Sequence, residues 1–195
     1  MPPGGKVSEQ SQRSPSSNLL ITREQSVLIV IDMQERLVPA MSDPDKVVRN
    51  TKRLLAFARI IGLPVIITEQ EKLGTTIPDL KHEIRDITPI SKVSFNCLLS
   101  DRFSAEVERL NRDTLILTGV EAHICVAQTA LAAIASFNVQ VVADAISSRV
   151  PENCNLAVER MRASGVTVTS TEMVIYELLR QAGTDEFKAT LPLIK

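Results

Sequence analysis

Aromatic side chains are scarce in this chain: they make up 3% of 195 residues, with no Trp and a single Tyr, Tyr176. Few flat faces are left on which bases or sugars could stack. There is no surplus of positive charge either, since 22 Lys and Arg stand against 23 Asp and Glu. A protein that grips phosphate backbones carries a basic excess, so the reading is a small-molecule partner and no nucleic acid. The three cysteines, Cys97, Cys125 and Cys154, are odd in number and widely spaced. That fits neither a disulfide framework nor a metal knuckle and points to a reducing compartment, the cytoplasm. Long apolar runs are missing as well. The run Val27 to Ile31 is stopped by Asp32, and nothing approaches the roughly 18 residues that cross a bilayer, so no membrane partner is expected. Residues 1–18 are rich in Pro, Gly, Ser and Gln and lack an apolar stretch. They read as a flexible leader rather than a secretory signal, and two basic residues, Lys6 and Arg13, give little support to an organelle transit peptide.

What the chain does have is 44% hydrophobic residues, enough for one core, and residues 19–195 read as one domain. Apolar strand-like runs alternate with segments of helical period, the pattern of a parallel sheet wrapped by helices. Val27 to Ile31 is apolar at every position, as a central strand covered on both faces must be. Asp43 and Pro44 offer an N-cap and a first-turn proline for a helix burying Val47, Thr51, Leu54, Leu55 and Ala58, which Gly62 and Pro64 end. Further strands are expected at 64–68, 88–91, 114–118, 139–143 and 166–169. Helices are expected at 101–111, 123–137, 151–164 and 171–181, the last opened by a capping box of Thr169 and Glu172. The result is an α/β fold: one doubly wound, six-stranded, mostly parallel sheet in the order 3-2-1-4-5-6, with helices on both faces. Ligands of such sheets bind at the carboxyl ends of the strands where the order reverses, which singles out Asp32 and the loop Gly119 to Cys125.

Cys125 falls in the first turn of a helix that follows a strand and a glycine turn, where free N–H groups and the helix dipole favour a thiolate. Buried free cysteine is also common as plain packing. Asp32 is a carboxylate straight after five apolar residues and needs a partner if buried, whether as a catalytic group or as a cap or structural ion pair. Lys92 follows the third strand, and by itself is equally well a solvated surface charge. Spacing leaves these alternatives open.

Four segments in order resemble the isochorismatase-like hydrolases, a superfamily that includes nicotinamidases and N-carbamoylsarcosine amidohydrolases. They are Val30 to Gln34, Thr68 to Gln70, Lys92 to Phe95 and Thr118 to Val126. The tail Val141 to Ala145 with Ser147, Ser148 and Arg149 fits too, and the likeness is nearest to the YcaC-like isochorismatase-domain subgroup. The resemblance implies a triad in which Cys125 is the nucleophile, Asp32 takes its proton and Lys92 holds Asp32 ionised. It further implies an oxyanion hole from the backbone N–H groups of Glu121 and Cys125, and a cis peptide between Val120 and Glu121. Gln34 and Phe95 are implied as substrate-binding residues by their place in the matched segments.

The chain departs from the metal-dependent nicotinamidases, whose cation is held by an Asp and a pair of His beyond the second strand. Here Glu69 to Thr75 contains neither His nor Trp, so neither a metal nor any other cofactor is expected. The cysteine argues against the vinyl-ether chemistry of true isochorismatases and for C–N hydrolysis through a thioester. The rival is a non-catalytic descendant that keeps the fold for binding or assembly. A dinucleotide-binding oxidoreductase is excluded, because Asp32 to Arg36 has no glycine. His123 cannot face Cys125 from two positions away on a helix and reads as structural or pocket-lining, while His82 reads as a surface residue. Cys154 reads as core packing beside Ala157, Val158 and Met161, and Cys97 is unplaced. Apolar residues on two faces of the Ala-rich helix, Leu131 and Ile134 being displaced from Val126, Ala130, Ala133 and Phe137, predict a homo-oligomer.

Overall fold

The computed structural model describes residues 20–195, so the reading of 1–18 as a leader lies outside the described residues. Six strands form one parallel sheet: β1 (Ser26–Ile31), β2 (Val65–Gln70), β3 (Ile90–Lys92), β4 (Thr114–Val120), β5 (Asn138–Ser147) and β6 (Thr167–Thr169). Their order is β3-β2-β1-β4-β5-β6, as expected. The helices are α1 (Pro44–Ile61), α2 (Pro78–Lys81), α3 (Asp101–Leu110), α4 (Ala127–Ala133), α5 (Pro151–Ala163), α6 (Thr171–Leu179) and α7 (Asp185–Ile194).

Every residue of β1 is buried, and alternate side chains feed two separate cores. Leu28 and Val30 join α1, α6 and α7 on one face. Val27, Ile29 and Ile31 join α3, α4 and α5 on the other. This two-sided burial is what the unbroken apolar run required. At α1, Asp43 accepts from the Lys46 N–H, and Gly62 ends the helix in the left-handed conformation at φ 64°. No helix among the described residues is long and apolar enough to cross a membrane.

Several expectations need correction. Lys92 is the last residue of β3 rather than a residue beyond it. The cap of α6 is Ser170, which accepts from the Met173 N–H, so Thr169 and Glu172 form no capping box. β5 runs longer than expected because it bulges: two steps on β4, Leu117 to Gly119, face five on β5, Val141 to Ile146. The Ala-rich segment has no bare second apolar face. Leu131, Ile134 and Phe137 pack half-buried against the core, and the exposed apolar side chains are elsewhere, at Val93, Phe95, Leu99, Val150 and Leu156 among others.

Candidate functional site

Parallel pairing lines up the strand ends. Ile31 lies beside Thr68 on one side and Gly119 on the other, and Gln70 lies beside Lys92. Asp32, Thr68, Gln70, Lys92 and the segment after Val120 therefore meet at one edge of the sheet. The approach at Gly119 is close enough to demand glycine. Its φ is 130°, and a Cβ there would sit 2.0 Å from the Ile31 carbonyl oxygen. No side chain fits that gap.

Asp32 and Lys92 form a dry ion pair. Lys92 Nζ stands 2.8 Å from Asp32 Oδ2, and neither side chain is exposed at all. Asp32 Oδ1 accepts from the Thr68 hydroxyl at 2.7 Å. Lys92 also donates to Gln70 Oε1 at 2.9 Å and to the Ser94 carbonyl at 3.2 Å. Two opposite charges in a water-free site are tolerated only with such bonds in place. Asp32 itself is held at φ 55°, a conformation that a non-glycine residue adopts at some cost.

Cys125 sits in a π-helical turn, Ala122–Val126, that precedes α4. π turns recur at functional sites because the extra residue redirects side chains. Its thiol is nearly buried, and Asp32 is among the groups whose charge acts on it. Burial first, then the Asp32 charge, pushes the thiol far above its ordinary range, and Lys92 only partly offsets them. That direction is opposite to the thiolate expected at a helix N-terminus, and the regular helix begins only at Ala127, beyond Cys125.

The Val120–Glu121 peptide is trans, since the described residues contain no cis peptide bond. The chain turns there through Glu121 at φ 55° and ψ 56° instead. Cys97, which the sequence left unplaced, is fully buried where the charges of Lys92 and Asp32 act on it. Its N–H donates to Thr129 Oγ1 at 3.0 Å, and burial raises its thiol to about 11, with Lys92 acting in the opposite sense.

Gln34 is spent on the scaffold. Its Nε2 donates to the Gln70 and Gly74 carbonyls at 2.9 and 2.7 Å, and its Oε1 accepts from the Gln70 N–H at 2.8 Å. Phe95 lies on the loop after Lys92 with its side chain exposed. His123 Nδ1 is 2.9 Å from Ser148 Oγ. Sequence reasoning missed the side chain of Glu121, which pairs through Oε1 with Arg149 Nε at 2.7 Å and lies 3.6 Å from His123 Nδ1 through Oε2. It also missed Thr68 and Gln70 as partners of the ion pair, although both stood in a matched segment. Among the described residues no three His, Cys, Asp or Glu side chains are grouped to hold a metal ion.

Residues 26–173 match the Isochorismatase domain family. Isochorismatase domain-containing protein 2 of Danio rerio is 37% identical over 172 residues, covering 87% of this chain and 86% of that protein. A solved structure of MAR1 ribonuclease from Caenorhabditis elegans superposes with a TM-score of 0.84 at 32% identity, over 90% of this chain and 92% of that one. YcaC structures are similar at 27% identity, each over 91% of this chain and 93% of the other. The Pseudomonas aeruginosa protein, with hexane-2,5-diol and covalent acrylamide, has a TM-score of 0.84, and the Escherichia coli protein, described as an octameric hydrolase of unknown specificity, has one of 0.83. With the matched domain spanning most of the sheet and the strand order reproduced, the chain belongs to the isochorismatase-domain family of hydrolases.

Proposed function

We propose that the chain is a metal-independent cysteine hydrolase that cleaves a small amide- or carbamoyl-type C–N bond. The observation that carries this reading is the nearly buried Cys125 thiol, on which the Asp32 charge acts, with the Asp32 carboxylate itself paired with Lys92 at 2.8 Å. Cys125 Sγ attacks the substrate carbonyl carbon as its proton passes to Asp32, so no free thiolate is needed beforehand. The developing oxyanion takes the backbone N–H groups of Glu121 and Cys125. Collapse breaks the C–N bond, Asp32 gives its proton to the departing nitrogen, and a Cys125 thioester remains. Water, deprotonated by Asp32, then releases the acid and returns the thiol. Lys92 balances the carboxylate throughout.

The C–N bond is preferred because a nucleophilic thiol with an adjacent base suits acyl transfer. The ribonuclease name belongs to the Caenorhabditis elegans neighbour, and 22 basic against 23 acidic residues do not favour that reading here. Self-association belongs to the same proposal: Val93, Phe95 and Leu99 are exposed on the segment that follows Lys92, and the Escherichia coli neighbour is octameric. A light-scattering mass that stays at 21.4 kDa across concentrations would remove it.

Acrylamide tests the nucleophile, because its C=C adds a thiol, sulfur bonding to the terminal carbon and the proton ending on the neighbouring one. Cys125 should be labelled faster than Cys154, which lies on α5 away from Asp32, and chelator should leave the rate unchanged. Equal labelling of Cys154, or loss of labelling with chelator and its return with zinc, would overturn the reading.

A further inference from the structure

We propose that Gln70 is a positioning residue that fixes the direction of the Lys92 ammonium, and that Gln34 acts through it. An ammonium has three donors. Those of Lys92 go to Asp32 Oδ2, Gln70 Oε1 and the Ser94 carbonyl, at 2.8, 2.9 and 3.2 Å. No N–H of Lys92 is left for a substrate, so its contribution is the placement of a positive charge. Gln70 is what closes that set, and its amide cannot turn over. Nε2 donates to the Val93 carbonyl at 2.6 Å. A flip would set the amide oxygen against that carbonyl and an N–H against the ammonium.

The backbone of Gln70 is gripped in turn. Gln34 binds its N–H and its carbonyl, and carries the grip on to Gly74. Gln34 is fully buried, so no water replaces a lost bond. The path runs from Gln34 through Gln70 and Lys92 to Asp32, and neither glutamine touches the sulfur. Gln34 is therefore assigned to the charge pair rather than to the substrate. The same path explains why Val93 and Ser94 follow Lys92 in a fixed course: each gives its carbonyl to the cluster that Lys92 completes.

This assignment rests on the cysteine-hydrolase reading, and the test separates the two. Gln70→Met keeps the length of the side chain and removes the acceptor at a half-buried position. The rate of acrylamide addition to Cys125 is followed against pH by mass spectrometry in the wild type and the variant, with Cys154 as internal reference. A misdirected ammonium no longer balances the Asp32 charge beside the sulfur, and addition at Cys125 in Gln70→Met should be about tenfold slower throughout the profile, while Cys154 is unchanged. A purely structural Gln70 would lower the melting temperature and leave the profile in place, which overturns the assignment alone. Wild-type Cys125 reacting no faster than Cys154 defeats the hydrolase reading, and the assignment with it. Gln34→Met, which loses the amide without adding a charge, should slow addition in the same way. An unchanged profile in folded Gln34→Met removes Gln34 from the path.

Discussion

The two halves of the sheet's carboxyl edge are built differently. At β1, β2 and β3, Asp32, Thr68, Gln70 and Lys92 form a closed set in which both carboxylate oxygens, the ammonium and the Gln70 amide all have partners. At β4 and β5, Glu121, His123, Ser148 and Arg149 form an open one. Glu121 Oε2 is buried without a hydrogen bond, and the Arg149 side chain is 56% exposed. A saturated polar network in low dielectric is rigid, and losing any member leaves another stranded. An unsaturated one beside water can rearrange at small cost. The chemistry is thus mounted on the rigid half, while the segment carrying Cys125 is joined to the adaptable half.

Removing Lys92 would sharpen this contrast most. Lys92→Met leaves the buried Asp32 carboxyl without its counter-charge, and should cost about 3–5 kcal/mol in chemical denaturation. Acrylamide addition at Cys125 should fall with it. A cost below about 1 kcal/mol would mean that water reaches the pair, and the rigid half would lose its distinction.

Much of the rigid half was legible in the sequence. The apolar run ending in Asp32 announced a central strand, and the alternation of elements announced a doubly wound sheet, whose common order the structure has. What stayed hidden depends on side-chain direction. Gln34 stands two residues past Asp32 and looks like a pocket residue until the loop it clamps is seen. The π turn around Cys125 is invisible to a 3.6-residue period, and so is the burial that pushes its thiol up. The bulge in β5 and the half-buried packing of Leu131 and Ile134 arise from tertiary contacts that helical period does not encode. α7 escaped notice because Pro192 lies inside it.

A smaller effect is expected at Thr68. Thr68→Val keeps the shape and removes the hydroxyl that donates to Asp32 Oδ1 at 2.7 Å. The carboxylate keeps its Lys92 contact but is short of one donor in a dry site, a loss of about 1–3 kcal/mol. The ion pair would survive, so Cys125 should still react faster than Cys154. A loss as large as that of Lys92→Met would show that the hydroxyl and the ammonium act as one unit rather than as two partners.

The smallest effect belongs to the open half. Glu121→Gln removes the charge that faces Arg149 but preserves the side-chain length and the backbone N–H assigned to the oxyanion. Arg149 is exposed enough for water to take over its solvation, and the uncharged amide relieves Oε2 of being a buried anion without a hydrogen bond. Loss of the ion pair and relief of desolvation act in opposite directions, and the net change should stay within about 1 kcal/mol. For a domain of this size that is a shift of no more than about 4 °C in melting temperature. Removing the opposite charge with Arg149→Ala should cost more, because it leaves the buried Glu121 carboxylate without its cation. If Glu121→Gln instead destabilises as strongly as Lys92→Met, the Glu121–Arg149 pair is as essential as the Asp32–Lys92 pair, and the two halves of the edge are equally rigid.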